Sequence, residues 1–292
     1  MSQAALALLR LALLLCAIAI LAGGGQAAFG QAGAKPAPIS TPTPADIHAR
    51  ASLKSVDSSL PDDPSVDKML EAYAPRVRAL NEVIGKLKGE LAKGGIGAGS
   101  MGNFVADAIR DRAQAKLGKP VLLAITNSGG LRKNSIPEGD LKVSDIFEVL
   151  PFENALVSLD LTGAQLLRFM NIVLSNRDAQ SGARIIFRNN DQKVNEIVSV
   201  KLRRDGEDKE IDPKANYTIV TIDYLVKRGG EYSLLQEGKN MLPLNLTLRD
   251  AVIEYVKAET AAGRAIRNTL DGRFSQDKGS TGGTPPGAEQ RQ

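Results

Sequence analysis

An apolar stretch that runs into a Gly-Gly turn is the feature that most limits how this chain can fold. Residues 121–126 are Val, Leu, Leu, Ala, Ile and Thr, which predicts a buried strand, and Asn127 follows directly. Gly129 and Gly130 permit a positive φ and a close approach of a ligand to the backbone, because neither has a Cβ atom. Arg132 adds a planar guanidinium that can bind phosphate or carboxylate. The segment therefore predicts a strand that ends at a binding turn.

The composition indicates a folded domain and limits its chemistry. Of the 292 residues, 43% are hydrophobic and 24% are charged, which is typical of a domain with a buried core. The net charge of +4 is small, and no basic block is interleaved with aromatic residues as a nucleic-acid surface would require. His48 is the single histidine and Cys16 the single cysteine.

The N-terminal sequence is typical of a secretory signal peptide followed by a tether. Residues 11–22 form an unbroken apolar run after Arg10, and Gly- and Ala-rich sequence follows. We predict a signal peptide over residues 1–32, whose removal takes Cys16 and excludes disulfides and thiolate metal ligands. An uncleaved anchor is the alternative. Residues 33–61 are rich in Pro, Ser, Thr and Asp and predict a disordered tether of a periplasmic or secreted protein.

A heptad pattern begins after the tether. Apolar residues are spaced alternately by four and three: Val66, Leu70, Tyr73, Val77, Leu80, Ile84, Leu87 and Leu91. The pattern predicts a long linking helix over residues 62–93, capped by Asp62 and Asp63. Pro75 is expected to kink this helix or to split off its first turns. The apolar residues of this pattern are called the seam below. They either pack within the domain, which is the commoner case, or stay exposed for a partner.

The elements after the linking helix mix helices and strands without a regular order. Helices are predicted over residues 102–117, 144–150, 163–174 and 249–259, and strands over residues 121–126, 155–161, 184–188, 197–203 and 217–222. Ser100 and Thr162 are expected to cap the first and third of these helices. Because no regular βαβ repeat is present, the pattern predicts an α+β domain. Residues 275–292 are rich in Gly, Ser, Pro and Gln and predict a disordered tail.

Several short motifs follow one another in a characteristic order. They are residues 81–85 (NEVIG), 100–108 (SMGNFVADA), 127–132 (NSGGLR), 149–154 (VLPFEN), 161–163 (LTG), 181–182 (SG) and 229–232 (GGEY). Together they resemble the C-terminal domain of the 5′-nucleotidase and UDP-sugar hydrolase family over residues 62–274. The resemblance implies a domain with a mixed sheet and flanking helices, preceded by the linking helix.

The same resemblance implies a nucleotide-binding role. In that family the C-terminal domain holds the nucleotide and an N-terminal metallophosphatase domain cleaves it. The nucleotide-binding positions that the motifs imply are Asn127, Gly129, Gly130, Arg132, Phe152, Asn154, Gly230 and Tyr232. Phe152 and Tyr232 would form the two walls around the base, and Arg132 would reach phosphate or sugar. Without the family context, each of these is also consistent with an ordinary turn, surface or core position.

The chain departs from the family pattern at several positions. Gly97 and Ala98 stand where the family usually has an Arg and a Glu before the second helix. The segment before Tyr232 is one residue shorter than the usual Gly-Gly-Asp-Gly. Glu237 is a weak candidate for the acidic residue that binds ribose. Asp107 resembles a ligand but lies within a helix, so we expect it to bond a nearby turn.

Hydrolysis in the family requires two metal ions held by Asp, His and Asn residues. Because the single histidine lies in the predicted tether, we predict no catalytic residue, metal site or cofactor in this chain, with divalent metals only in a partner chain. Three hypotheses remain open. The chain is the nucleotide-binding half of a split hydrolase that acts with a separately encoded metallophosphoesterase, a stand-alone nucleotide or nucleoside binder, or an interaction domain whose pocket has decayed.

Overall fold

A computed structural model describes residues 52–204 and 206–277. The chain divides into two compact units, Met1–Pro61 and Asp62–Gln292. The predicted signal peptide, the start of the tether and the residues after 277 lie outside the described ranges. In the first unit, the described residues contain one turn, in which the Leu60 N–H donates to the Asp57 carbonyl at 3.1 Å. All the elements named below belong to the second unit.

The second unit begins with two short helices, α1 (Pro64–Glu71) and α2 (Ala74–Leu80). Asp63 caps α1, because its carboxylate accepts the Ser65 N–H at 2.8 Å. The break between the helices falls just before Pro75, as the sequence predicts. Most apolar residues of the seam in this segment are at least 44% exposed: Val66, Leu70, Tyr73 and Val77.

The predicted linking helix over residues 62–93 is wrong beyond Leu80. The chain there forms strands β1 (Val83–Lys88) and β2 (Leu91–Ala92). Ile84 and Leu87 belong to the heptad pattern, yet in β1 they are 4% and 2% exposed and face the core. The spacing of apolar residues over so short a stretch does not separate the two structures, and pairing with neighbouring strands decides between them.

Helix α3 (Gly99–Leu117) packs on the strand β3 (Leu123–Thr126). One face of this helix is apolar and buried, with Phe104, Val105 and Ile109 at most 5% exposed. Ser100 does not cap the helix as predicted. The residue before the helix is Ala98 in a left-handed conformation, and the Ser100 hydroxyl instead accepts the Ala92 N–H at 2.9 Å.

A five-stranded sheet forms the centre of the domain, in the order β12, β6, β11, β3, β7. Its other strands are β6 (Ala155–Thr162), β7 (Ala179–Ser181), β11 (Asn216–Ile222) and β12 (Lys239–Thr247). Strands β3 and β11 are parallel, and β6 runs antiparallel to β11. The ends of β3 and β11 and the start of β6 therefore meet at one end of the sheet.

Three smaller sheets complete the fold, which confirms the α+β class. They are formed by β13 (Ile266–Arg267), β1 and β5 (Gly139–Lys142), by β10 (Glu207–Glu210), β9 (Asn195–Arg204), β8 (Ala183–Asn189) and β14 (Phe274–Gln276), and by β2 and β4 (Ser135–Ile136). Strand β14 lies beside β8, with Phe274 opposite Ile185. The predicted boundary of the tail at residue 275 is therefore too early, because backbone pairing extends through Gln276.

The remaining helices are α4 (Val143–Val149), α5 (Gly163–Ser175), α6 (Asp223–Arg228) and α7 (Leu248–Ala261). Thr162 caps α5 as predicted, since its hydroxyl accepts the Gln165 N–H while the Gln165 side chain accepts the Thr162 N–H. Helix α7 packs against α3 and α4. Within the described ranges, no helix combines the length and the apolar character needed to cross a lipid bilayer.

Candidate functional site

A cavity of about 410 Å³ opens at the end of the central sheet where β3, β6 and β11 meet. Three segments surround it: the turn after β3, the loop before β6 and helix α6. Its lining residues are Asn127, Gly129, Gly130, Arg132, Phe152, Asn154, Tyr224 and Arg228. Six of the eight residues predicted to bind a ligand are therefore brought together, and two residues of α6 join them.

The turn after β3 is a short 3₁₀ segment, Ser128–Gly130, anchored at both sides. The Gly130 N–H donates to the Asn127 carbonyl at 3.1 Å, and the Arg132 N–H donates to the Val149 carbonyl at 2.8 Å. Neither Gly129 nor Gly130 has a positive φ, so that expectation was wrong. Gly130 instead permits a close approach, because a Cβ there would lie 3.1 Å from the Asn127 side-chain oxygen and that side chain would have to shift.

Asn127 presents an unsatisfied hydrogen-bond acceptor at this cavity. The residue is 8% exposed, and its side-chain Oδ1 has no hydrogen-bond partner among the described residues. A buried polar atom without a partner costs roughly 1–3 kcal/mol. A ligand that reaches this oxygen with a donor would remove that cost.

Two arginines make the cavity positively charged. The Arg132 Nη1 donates to the Gly129 carbonyl at 3.3 Å, and its guanidinium lies 5.9 Å from the centre of the Phe152 ring. In the part of the chain that the structure describes, Arg132 forms no salt bridge with a carboxylate. Among the described residues, the carboxylate contact of Arg228 is a long one of 4.0 Å to Glu231. Both guanidinium groups therefore keep donors for an anionic ligand.

Contacts with α7 fix the loop that carries Phe152. Arg249 is 8% exposed, lies 4.1 Å from the centre of the Phe147 ring and donates from Nε to the Leu150 carbonyl at 2.9 Å. The Leu248 N–H donates to the Asn154 carbonyl at 2.8 Å. With both ends of the loop fixed, the Phe152 ring remains 49% exposed at the cavity.

The second aromatic ring at the cavity is Tyr224, which sequence reasoning missed. It is 44% exposed in the first turn of α6. Its neighbour Asp223 accepts the Ala155 N–H at 2.9 Å, which ties α6 to the start of β6. The sequence signal that could have identified Tyr224 is its position two residues after the predicted strand over residues 217–222.

Tyr232, predicted to be the second wall, does not reach the cavity. It is 1% exposed, donates from its hydroxyl to Asp178 at 2.6 Å and packs edge-on against Phe169. Gly229 and Gly230 have φ values of 68° and 60°, and the 3₁₀ segment Gly230–Glu237 that follows turns Tyr232 inward. Gly230 is likewise absent from the lining of the cavity.

The positions at which the chain departs from the family pattern lie elsewhere. Gly97 is buried with φ of 76°, and a Cβ there would lie 2.5 Å from the Phe274 ring, which explains why no arginine stands at this position. Glu237 lines a separate cavity and accepts from Gln165 at 3.3 Å, so it is not a ribose ligand of this site. Asp107 pairs with Arg273 at 2.9 Å, in agreement with the expected structural role.

The fold and the cavity define an α+β domain with a site suited to a flat anionic ligand. A profile of the family described as 5′-nucleotidase, C-terminal domain, matches residues 83–237. The chain belongs to this family, which confirms the resemblance and supports a nucleotidase-type role.

The relatives carry names from nucleotide hydrolysis. The chain is 28% identical over 185 residues to the trifunctional nucleotide phosphoesterase YfkN of Bacillus subtilis, covering 61% of this chain and 12% of that protein. It is 26% identical over 223 residues to an apyrase of Tabanus yao, covering 69% of this chain and 40% of that protein. The 5′-nucleotidase precursor of Thermus thermophilus is similar in structure, with a TM-score of 0.62 and 25% identity over 75% of this chain and 44% of that one. The chain thus spans less than half the length of these relatives.

Within residues 52–204 and 206–277, no three His, Cys, Asp or Glu side chains are grouped so that they could hold a metal ion.

Proposed function

We propose that this domain binds a nucleotide or nucleoside in the cavity at the end of the central sheet. The base would stack on Phe152 and Tyr224, and Arg132 and Arg228 would bind phosphate. The observation that carries the proposal is the unpartnered Oδ1 of Asn127 in the same cavity as two exposed rings. A volume of about 410 Å³ lies within the range of small-molecule sites.

The arrangement favours affinity over discrimination between bases. Stacking on an aromatic ring contributes roughly 1–3 kcal/mol per base and tolerates every base, because each has a π face. The Asn127 oxygen accepts a hydrogen bond from an amino or hydroxyl group, which many nucleosides offer. The two arginines act on the phosphate, which is common to all nucleotides.

We further propose that the domain is the nucleotide-binding half of a 5′-nucleotidase-type hydrolase, with hydrolysis carried out by a separately encoded metallophosphoesterase that brings its own divalent metals. Two observations support this. The relatives are more than twice as long as the matched region. The apolar residues Leu70, Tyr73 and Val77 of α1, α2 and the turn between them are more than half exposed, as a docking surface requires.

A stand-alone binder is the second candidate, and the exposed rings and unpartnered Asn127 oxygen favour it equally. A decayed interaction domain is the third, and the misplaced Tyr232 favours it. The apolar run at residues 11–22 and the Gly- and Ala-rich sequence after it support a periplasmic or secreted location for all three.

The first experiment is a calorimetric titration of the purified chain with adenosine and with AMP in EDTA. We expect micromolar binding that Phe152→Ala and Tyr224→Ala each weaken about tenfold or more. Tyr73→Ala is the matched control, because this tyrosine is 59% exposed on the linking segment and should leave binding unchanged. Absence of binding up to millimolar ligand would refute the binding proposal and leave the decayed domain.

The split-hydrolase proposal has its own test. A single-domain metallophosphoesterase from the same genome would be mixed with the purified chain and manganese, and phosphate release from AMP measured. We expect faster hydrolysis in the mixture, lost with Phe152→Ala and also with Val77→Asp. If the two chains neither associate nor change the rate, the split-hydrolase proposal fails, and the adenosine titration decides between the stand-alone binder and the decayed domain.

A further inference from the structure

A buried polar cluster lies beneath the candidate site. The Asp178 carboxylate is 1% exposed and accepts two hydrogen bonds, from the Ser128 N–H at 2.9 Å and from the Tyr232 hydroxyl at 2.6 Å. The Asn176 side chain donates to the Tyr232 oxygen at 2.8 Å, and the Ser128 hydroxyl donates to the Asn176 carbonyl at 3.1 Å. These four residues are called the Asp178 cluster below.

The Asp178 cluster joins two segments that lie far apart in the sequence. Ser128 begins the turn that carries Asn127 on one side and Gly129 on the other. Tyr232 lies in the segment directly after α6, and the Arg228 guanidinium of α6 is 5.5 Å from the centre of its ring. The position of the turn relative to the Arg228 end of α6 therefore depends on the two bonds that Asp178 accepts.

We propose that Asp178 is a positioning residue for the nucleotide site, and that its ionised carboxylate holds the Asn127 turn and the Tyr232 segment in the arrangement that binds ligand. This inference rests on the proposed nucleotide binding and adds to it a dependence on a single buried charge. Tyr232, predicted from sequence to stack on the base, acts instead through its hydroxyl.

The charge state of Asp178 decides how well the residue can hold the Asn127 turn and the Tyr232 segment in place. An ionised carboxylate is acceptor-only and can take the Ser128 and Tyr232 protons together, with charge-assisted bonds. A protonated carboxyl group carries a hydrogen of its own at one oxygen, so one bond has to reverse or weaken. Protonation is therefore expected to loosen the turn and to lower the affinity for ligand.

Because Asp178 is buried, its carboxylate is expected to become protonated within a pH range that can be measured. Desolvation is the main cause that raises the pKa of Asp178 to about 6, and the charge of Glu231 adds to it. The Tyr232 and Ser128 hydrogen bonds and the positive charge of Arg228 act in the opposite direction. The pKa of Tyr232 is raised, so this hydroxyl remains protonated at neutral pH. No histidine occurs among the described residues to titrate in the same range.

The test is an adenosine titration between pH 5 and pH 8, because adenosine is uncharged throughout. We expect the affinity of the wild-type protein to fall about three- to tenfold below pH 6, and Tyr232→Phe to lose a similar factor at pH 7.5. Asp178→Asn should bind weakly with no pH dependence. Asp160→Asn is the matched control, since its carboxylate also accepts two hydrogen bonds but lines a different cavity.

A second readout does not depend on ligand. Hydrogen exchange of the Ser128 and Gly130 amides, corrected for intrinsic rates, should lose protection in the free protein between pH 7.5 and pH 5, and should not do so in Asp178→Asn. Unchanged adenosine affinity in Tyr232→Phe would overturn the inference, since a stacking ring would also tolerate this change. If adenosine fails to bind while the exchange behaves as expected, the nucleotide proposal fails and the structural coupling stands.

Discussion

Two cavities of this domain differ in how far their polar groups are already satisfied. The cavity between β1, α3 and α7 has a volume of about 700 Å³, and its carboxylates Asp107 and Glu259 pair with Arg273 and Arg264. The candidate site is smaller, at about 410 Å³, yet it contains the unpartnered Asn127 oxygen. The difference predicts that the smaller cavity rather than the larger one binds ligand, because its hydrogen bonding is incomplete.

The largest effect is expected at Arg273, the partner of Asp107 in the larger cavity, and on stability alone. Arg273→Met leaves Asp107 and Asp271 without their buried partner, so the free energy of unfolding should fall by about 3–5 kcal/mol. Chemical denaturation measures this. Arg264→Met is the control, because its side chain is 61% exposed and its pair should contribute about 1 kcal/mol or less. Loss of adenosine binding in folded Arg273→Met would break the distinction between the cavities.

The next largest effect concerns Asp178 and the pH dependence of stability. Its folded pKa of about 6 lies above the ordinary 3.8, so its contribution is fully present below pH 3.8 and is lost as pH rises through 6. The loss amounts to about 3 kcal/mol. Urea denaturation at several pH values should show a smaller decline from pH 4 to pH 7 in Asp178→Asn. Equal declines in both proteins would contradict the shifted pKa.

Ionised Asp178 therefore lowers stability at the pH at which it is expected to favour binding. Such an exchange of stability for function is common at binding sites. The carboxylates of the larger cavity differ, since Asp107 and Glu259 keep positive partners in Arg273 and Arg264.

An intermediate effect on adenosine affinity is expected from the two exposed aromatic rings of the candidate site. Phe152→Ala and Tyr224→Ala should each cost about 1–3 kcal/mol of adenosine binding. If both rings contact one base, the double variant should lose less than the sum of the two, by about 0.5 kcal/mol or more. Calorimetry on the four proteins measures the coupling. Strict additivity would mean that the rings contact different parts of the ligand.

The smallest effect concerns the unpartnered amide. Asn127→Ala should weaken adenosine binding by about 0.5–1.5 kcal/mol and leave the unfolding free energy nearly unchanged, because the free protein gains no hydrogen bond at Oδ1. Calorimetry and denaturation of the same preparation separate the two quantities. A loss of stability larger than the loss of affinity would show that Asn127 serves the fold rather than the ligand.

Local signals were sufficient for much of the fold. Thr162 and Gln165 lie within four residues of sequence and mark the start of α5. The apolar face of α3 follows from the spacing of apolar residues within that helix alone. The strand β1 could not be recognised in this way, because its partners Gly139–Lys142 and Ile266–Arg267 lie far along the chain. Non-local pairing overrode a local periodicity.

The candidate site was predictable wherever a motif lies in one continuous segment. Asn127, Arg132 and Phe152 all reach the cavity, because short anchored loops hold them there. Tyr224, for which no role was predicted, lies at the cavity, and Tyr232 does not. The direction of the Tyr232 side chain depends on two successive positive φ values, which the glycines permit without requiring them.

The contact between Gly97 and the Phe274 ring links two positions that are remote in sequence. The ring occupies the volume that any side chain at position 97 would need. The positive φ of 76° already favours glycine at position 97, and the ring adds a steric reason that holds only where the last strand keeps an aromatic residue. An arginine at position 97 should therefore be tolerated only together with a small residue at position 274, and then only with a strained backbone.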